Sequence, residues 1–123
     1  MRFKDARDAR RSADVDSILT AIYSYIVDHR GTLPGDLTSG MGEKQLGTSG
    51  SGCALTQNGC STATACDDLS ASLSAYLKSV PVDPGSTASA SKTQYSVIID
   101  SNGIVTVKAC SVENIPAGLS SSR

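Results

Sequence analysis

The chain has no tryptophan, one phenylalanine and four tyrosines in 123 residues, so any core must be small and built from leucine, isoleucine and valine. Its single histidine, His29, would have to serve every Ser-His-Asp or Cys-His arrangement, and it falls where a donor or cation completes a helix end. Neither sign of charge dominates: 11 Lys and Arg against 12 Asp and Glu leave a net −1, which offers no basic footprint for nucleic acid. No run of about 18 apolar residues occurs, and with it go the membrane-spanning helix and the secretory signal within the chain as it stands. GxGxxG and P-loop patterns are missing; Gly40, Gly42, Gly47, Gly50 and Gly52 are loop composition. There is no N-x-S/T acceptor, although the wealth of serine and threonine admits O-glycosylation. Asp67-Asp68 is an adjacent carboxylate pair, but neighbours on a helix point in different directions, so its place is a helix start rather than acid–base chemistry. No cofactor site and no catalytic constellation emerge.

What is present begins with a helix. Val15, Ile18, Leu19, Ile22, Tyr25 and Ile26 recur at helical spacing and form one core-facing stripe. Before Asp14 the same frame carries Arg2, Lys4, Asp5, Arg7, Asp8, Arg10 and Arg11 with alanines between, a stretch expected to be solvated and to project from the domain. Lys4 and Asp8, Arg10 and Asp14, and Asp8 and Arg11 stand three or four apart, worth about 0.2–0.5 kcal/mol per pair. Gly31 takes the C-cap position, His29 and Arg30 the last turn, and Pro34 prevents resumption. A helix set so hard against the first residue is expected to be the lower half of a longer one.

A single domain over 1–123 is expected. Residues 35–65 are rich in glycine and hydroxyls and read as a long surface loop. A second helix is predicted over 65–79, with Thr64 as cap, Asp67 three residues on, and Cys66, Leu69, Leu73, Tyr76, Leu77 and Val80 on one face. Residues 93–110 read as a hairpin: Tyr95, Val97 and Ile99 share one side, Ser101-Asn102-Gly103 turn, and Val105, Val107 and Ala109 share one side. The tail, 113–123, has no periodicity and is expected to be mobile at its end. The order predicts an α+β domain.

Cys53, Cys60, Cys66 and Cys110 are even in number and fit an exported protein in an oxidising compartment. Their spacings lack the close pairs of structural zinc sites, so disulfides are expected and no metal. Of the three possible connectivities, Cys53–Cys60 with Cys66–Cys110 is favoured, the long bridge worth about 4 kcal/mol and the short one about 2.5. One observation opposes the long bridge. Strict alternation places Cys110 with Thr106 and Lys108, away from the face that would meet a helix, unless the strand ends or bulges there.

The stretch KDARDARRSADVDSILTAIYSYIVDHRGTLP resembles the segment that follows the membrane helix in type IV pilins and major pseudopilins of type II secretion. Tyr76-Leu77-Lys78-Ser79-Val80-Pro81-Val82-Asp83-Pro84 is similar to the YL…P.DP motif of the pseudopilin-like branch, with Pro81, Asp83 and Pro84 as its fixed points, and the hairpin lies where that branch places its small sheet. The resemblance implies a pilin-like domain: a long N-terminal helix packed on a small antiparallel sheet, with a long loop and a short second helix between. It implies a structural filament subunit, not an enzyme, inner-membrane anchored before assembly and then extracellular. Its partners would be other copies of itself, minor pilins and an assembly platform, and its membrane contact would run only through an apolar helix upstream of this chain. Arg7, Arg10, Arg11 and Asp14 would contact neighbouring subunits through complementary charge. Isolated, the domain would be a monomer. Two departures stand out. Pro84 is followed by Gly85-Ser86-Thr87-Ala88 with no acidic cluster, and Asp83 and Asp100 are too few carboxylates for a calcium cage, so no calcium is expected. Four cysteines suit a disulfide-stabilised pilus subunit better than a major pseudopilin. A pseudopilin and a secreted, disulfide-stabilised binding module using loop 35–65 remain the alternatives.

Overall fold

The apolar stripe of the first helix is the surface on which the rest of the chain packs. A computed structural model describes residues 2–35, 37–85, 87–112 and 119–122, with side chains of the first helix described from Asp5 onward. Helix α1 runs Arg2–Asp28. Val15, Ile18, Leu19, Ala21 and Ile22 are buried on it, and Tyr25 and Ile26 pack at the margin. The helix closes as a Schellman motif: Gly31 N donates to Ile26 O at 2.8 Å. The left-handed position is Arg30 at φ 56°, with Gly31 following at φ 91°, so the reversal starts one residue before the predicted glycine.

Four antiparallel strands form one sheet in the order β1 (Lys44–Gln45), β2 (Tyr95–Ile99), β3 (Val105–Ala109), β4 (Leu119–Ser122). Tyr95 faces Ala109, Val97 faces Val107 and Ile99 faces Val105, and all six are fully buried in one core with the apolar stripe of α1. The turn between β2 and β3 is organised by Asp100, whose carboxylate accepts from Asn102 N at 2.8 Å and Ile104 N at 3.0 Å, while Gly103 supplies φ 81°. The architecture is thus α+β, one helix on a small antiparallel sheet. Two strands lie outside the predicted hairpin. β1 falls inside the predicted loop 35–65, and β4 inside the tail, where pairing with β3 replaces the expected mobility; 113–118 and 123 lie outside the described residues.

The predicted helix over 65–79 does not form. Asp67 N donates to Gln45 O at 2.9 Å and Gly47 N to Asp67 O at 3.1 Å, a bridge that extends the backbone where the helix would begin. Asp68 then accepts from Ser70 N and Ser70 Oγ, and 70–76 follows as successive turns, with Ser74 Oγ drawn to Ala71 O. Leu69 and Leu73 are nonetheless buried as predicted, because two turns suffice to deliver them to the core. Gly47 marks the tightest approach: a Cβ there would lie 2.1 Å from Ser91 O.

The disulfides are Cys53–Cys66 and Cys60–Cys110, not the favoured Cys53–Cys60 and Cys66–Cys110. The reason is strand parity. Cys110 keeps strict alternation with Lys108, on the sheet face opposite the helix, so its partner must come from whatever covers that face. The loop does: Gly59 O accepts from Lys108 Nζ at 3.0 Å and Cys60 Sγ lies 3.6 Å from Ser96 Oγ. Cys66, drawn to Cys53 by the bridge at Asp67, is left with the nearer partner.

On the loop-entropy model the Cys60–Cys110 bond is worth about 4 kcal/mol and Cys53–Cys66 about 3. Paired Cys→Ser variants unfolded in urea should rank in that order, and peptide mapping without reductant should recover these two cross-links and no other.

Candidate functional site

Helical spacing carries the core-facing stripe of α1 backward from Val15 to Arg11 and Asp8, and both are buried. Arg11 meets the Pro81-Val82-Asp83-Pro84 segment. Its Nε donates to Asp83 Oδ2 at 2.6 Å and its Nη2 to Asp83 Oδ1 at 2.9 Å, a bidentate fork, while Nη1 donates to Asp8 Oδ1 at 2.7 Å. Arg11 is 1% exposed, so the guanidinium is out of water and its partners must compensate for the lost hydration. Asp83 also receives Gly85 N at 2.7 Å, and its own N–H donates to Thr93 O at 3.0 Å, which fixes the motif beside the start of β2. One turn on, Tyr95 OH donates to Asp14 Oδ2 at 2.7 Å. Burial, then Asp14, pushes the Tyr95 phenol above its ordinary 10.0. The neutral phenol is the form the fold favours, so its contribution is complete below that pH and lost as pH rises past it.

The four residues expected at subunit contacts therefore divide. Arg10 is exposed, 3.7 Å from Asp14, and Arg7 is half-buried. Arg11 faces its own domain, and Asp14 is half-buried against Tyr95. The stretch before Asp14 is thus not wholly solvated. The three motif residues are together: Pro81 and Pro84 half-buried, Asp83 buried. Sequence reasoning missed the clamp although its signal was present, since Asp8 and Arg11 continue the Val15–Ile18–Ile22 stripe at helical spacing.

A second polar cluster lies on the opposite sheet face. Glu43 accepts Ser96 Oγ at 2.6 Å, Lys108 Nζ at 3.2 Å and Ser61 N at 3.2 Å. Glu43, Cys60 and Cys110 offer atoms within 4.8 Å of one another, the spacing of a metal group. They do not fit one: both sulfurs are joined in a disulfide and both carboxylate oxygens are engaged. Asp83 is likewise committed to Arg11 and Gly85 rather than open to a cation. His29 is exposed, with Nδ1 2.8 Å from Tyr25 O and its ring stacked on Tyr25 at 3.8 Å, an arrangement that closes the helix end.

Comparison with known proteins finds no matching family model, no matching curated protein and no matching solved structure. No helix among the described residues is long and apolar enough to cross a membrane.

Breaking the clamp leaves a buried charge unpartnered. Asp83→Asn or Arg11→Ala should cost about 3–5 kcal/mol in urea unfolding, whereas Arg10→Ala should stay within about 0.5 kcal/mol. Separately, Tyr76 donates its OH to Asp28 Oδ2 at 2.6 Å, and that bond holds its phenol up to about 12. Absorbance titration should show one tyrosine ionising there, and Asp28→Asn should return it toward 10.0.

Proposed function

We propose that the protein is a structural subunit of an extracellular type IV pilus-like filament. The observation that supports this most directly is the clamp. The Tyr76–Pro84 segment, whose motif resembles that of the pseudopilin-like branch of the family, is tied by Asp83 to Arg11 in the first half of the 27-residue α1. Sheet, motif and helix are thereby coupled, and a load applied along α1 is passed to the whole domain through buried contacts. That is the mechanical requirement on a subunit held in a fibre by one end of a helix. Two disulfides, Cys60–Cys110 on the sheet face opposite the helix and Cys53–Cys66 between loop segments, suit a domain that must persist outside the cell.

In this reading α1 is continued by an apolar helix in the full-length protein, which anchors the subunit in the inner membrane before assembly and packs in the fibre afterwards. Arg10 and Arg7 face neighbouring copies, while Arg11 serves the domain's own fold. Minor pilins and an assembly platform are the further partners. The major pseudopilin is the second reading, carried by the Tyr76–Pro84 motif alone.

Antibody raised against the domain should label filaments along their length in electron micrographs of the producing cells, and deletion of the gene should remove them. Label found only on monomer in the medium would sink the filament reading. Arg10→Glu should reduce filament number several-fold while leaving the melting temperature of the isolated domain within about 2 °C.

A further inference from the structure

The structure assigns Asn102 as a site of spontaneous covalent modification, conversion of its amide to aspartate and isoaspartate through attack by Gly103 N, and it makes the same dipeptide at Asn58-Gly59 a protected one. Sequence alone does not separate the two. Both are Asn-Gly pairs, both asparagines are exposed, and a following glycine has no side chain to hinder ring closure at its nitrogen. In that reaction the glycine N–H gives its proton to hydroxide, the nitrogen bonds to the asparagine Cγ, and Nδ2 takes a proton from water and leaves as ammonia. Water then opens the five-membered imide at either carbonyl, which leaves an α-linked or a β-linked aspartyl residue. No cofactor or second protein takes part. What each site does need is freedom: Cγ has to swing over to the next nitrogen, and the peptide between the two residues has to rotate.

At Asn58 the fold denies that freedom. Its Nδ2 donates to Cys110 O at 2.8 Å, so the amide is turned toward the end of β3. Asn58 at φ 52° and Gly59 at φ 84° form a tight turn closed by Cys60 N on Gln57 O at 2.8 Å. Gly59 O accepts from Lys108 Nζ at 3.0 Å, and Cys60 is cross-linked to Cys110. Rotation of the Asn58–Gly59 peptide thus works against several contacts and a covalent tie. Asn102 is held by less. Its side chain makes no hydrogen bond among the described residues, and its neighbours Ser101 and Ile104 are exposed. Gly103 N donates to Asp100 O at 3.0 Å, but that oxygen also accepts from Gly40 N at 2.9 Å and stays satisfied when Gly103 lets go. Opening here gives up one exposed hydrogen bond and no cross-link. Conversion adds a carboxylate beside Asp100 and, in the isoaspartyl form, one methylene to the main chain of the turn that joins β2 to β3. An aged copy then differs from a new one in charge and shape at one exposed turn.

The modification does not depend on filament assembly, so the chain with its disulfides intact suffices for the test. It is incubated in mildly alkaline buffer, sampled over weeks and mapped by peptide mass spectrometry with the asparaginyl, aspartyl and isoaspartyl forms separated. Asn102 should convert at least about tenfold faster than Asn58, because one site opens locally and the other only with its loop and cross-link. In urea with reductant the two rates should come within about threefold, since no fold then separates identical dipeptides. Cys60→Ser combined with Cys110→Ser, with retention of the fold checked by amide spectra, should raise the Asn58 rate several-fold and leave Asn102 unchanged. Should that variant fail to fold, the comparison in urea decides without it. Equal rates in the folded chain, faster conversion at Asn58, or a difference of about tenfold that persists in urea would each overturn the assignment.

Discussion

A guanidinium buried on the core face of a helix is tolerated only where fixed carboxylates replace the water it has lost, and the arrangement of this domain follows from that requirement at Arg11. Asp8, one turn earlier, supplies one oxygen; the other two come from Asp83, seventy-two residues away. Because the fork is planar and bidentate, it fixes the position and the rotation of the Pro81–Pro84 segment against α1. That placement carries Thr93 and Tyr95 to the helix, where Tyr95 meets Asp14, and the sheet enters the core from there. An apolar replacement of the whole cluster could be as stable, but it would leave the motif free to slide along the helix.

The other sheet face is settled by parity. A strand whose alternate residues fill the core under α1 must present the intervening ones, Ser96, Thr106, Lys108 and Cys110, on its far side. Polar residues there could have stayed in water. Instead the loop folds over them: Glu43 takes the hydrogen bonds of Ser96 and Lys108, and Cys60 bonds to Cys110. The loop gives Leu37 and Leu46 to the shared core but has no core of its own, and the rest of its order rests on hydrogen bonds and two covalent links. Gln45 completes it, fully buried, donating to Cys53 O and accepting from Gln94 N.

Much of this was legible from periodicity. Val15 to Ile26, the two strands with their turn at Ser101–Gly103, and the burial of Leu69 and Leu73 all follow from which residues recur at what spacing. The segment over 65–79 shows where periodicity stops being informative: its apolar positions are right for a helix and its leucines are buried, but Asp67 pairs with the backbone around Leu46 and the serines bond locally, so turns win. β4 could not be read because Leu-Ser-Ser-Ser has little strand propensity and owes its conformation to the open edge of β3. The disulfides divide the same way: the parity of Cys110 was visible, but which cysteine would stand over it was not.

The sequence by itself determined the helix with its core-facing stripe and the hairpin, and through them the α+β class, because each depends on neighbours within a few residues, while the even number of cysteines pointed to disulfides without their partners. Tertiary structure alone decided that Arg11 belongs to the core, that Cys60 rather than Cys66 reaches Cys110, and that Tyr76 meets Asp28 at the end of α1. Those outcomes join residues from about fifty to seventy apart, and only the folded chain sets the distances between them.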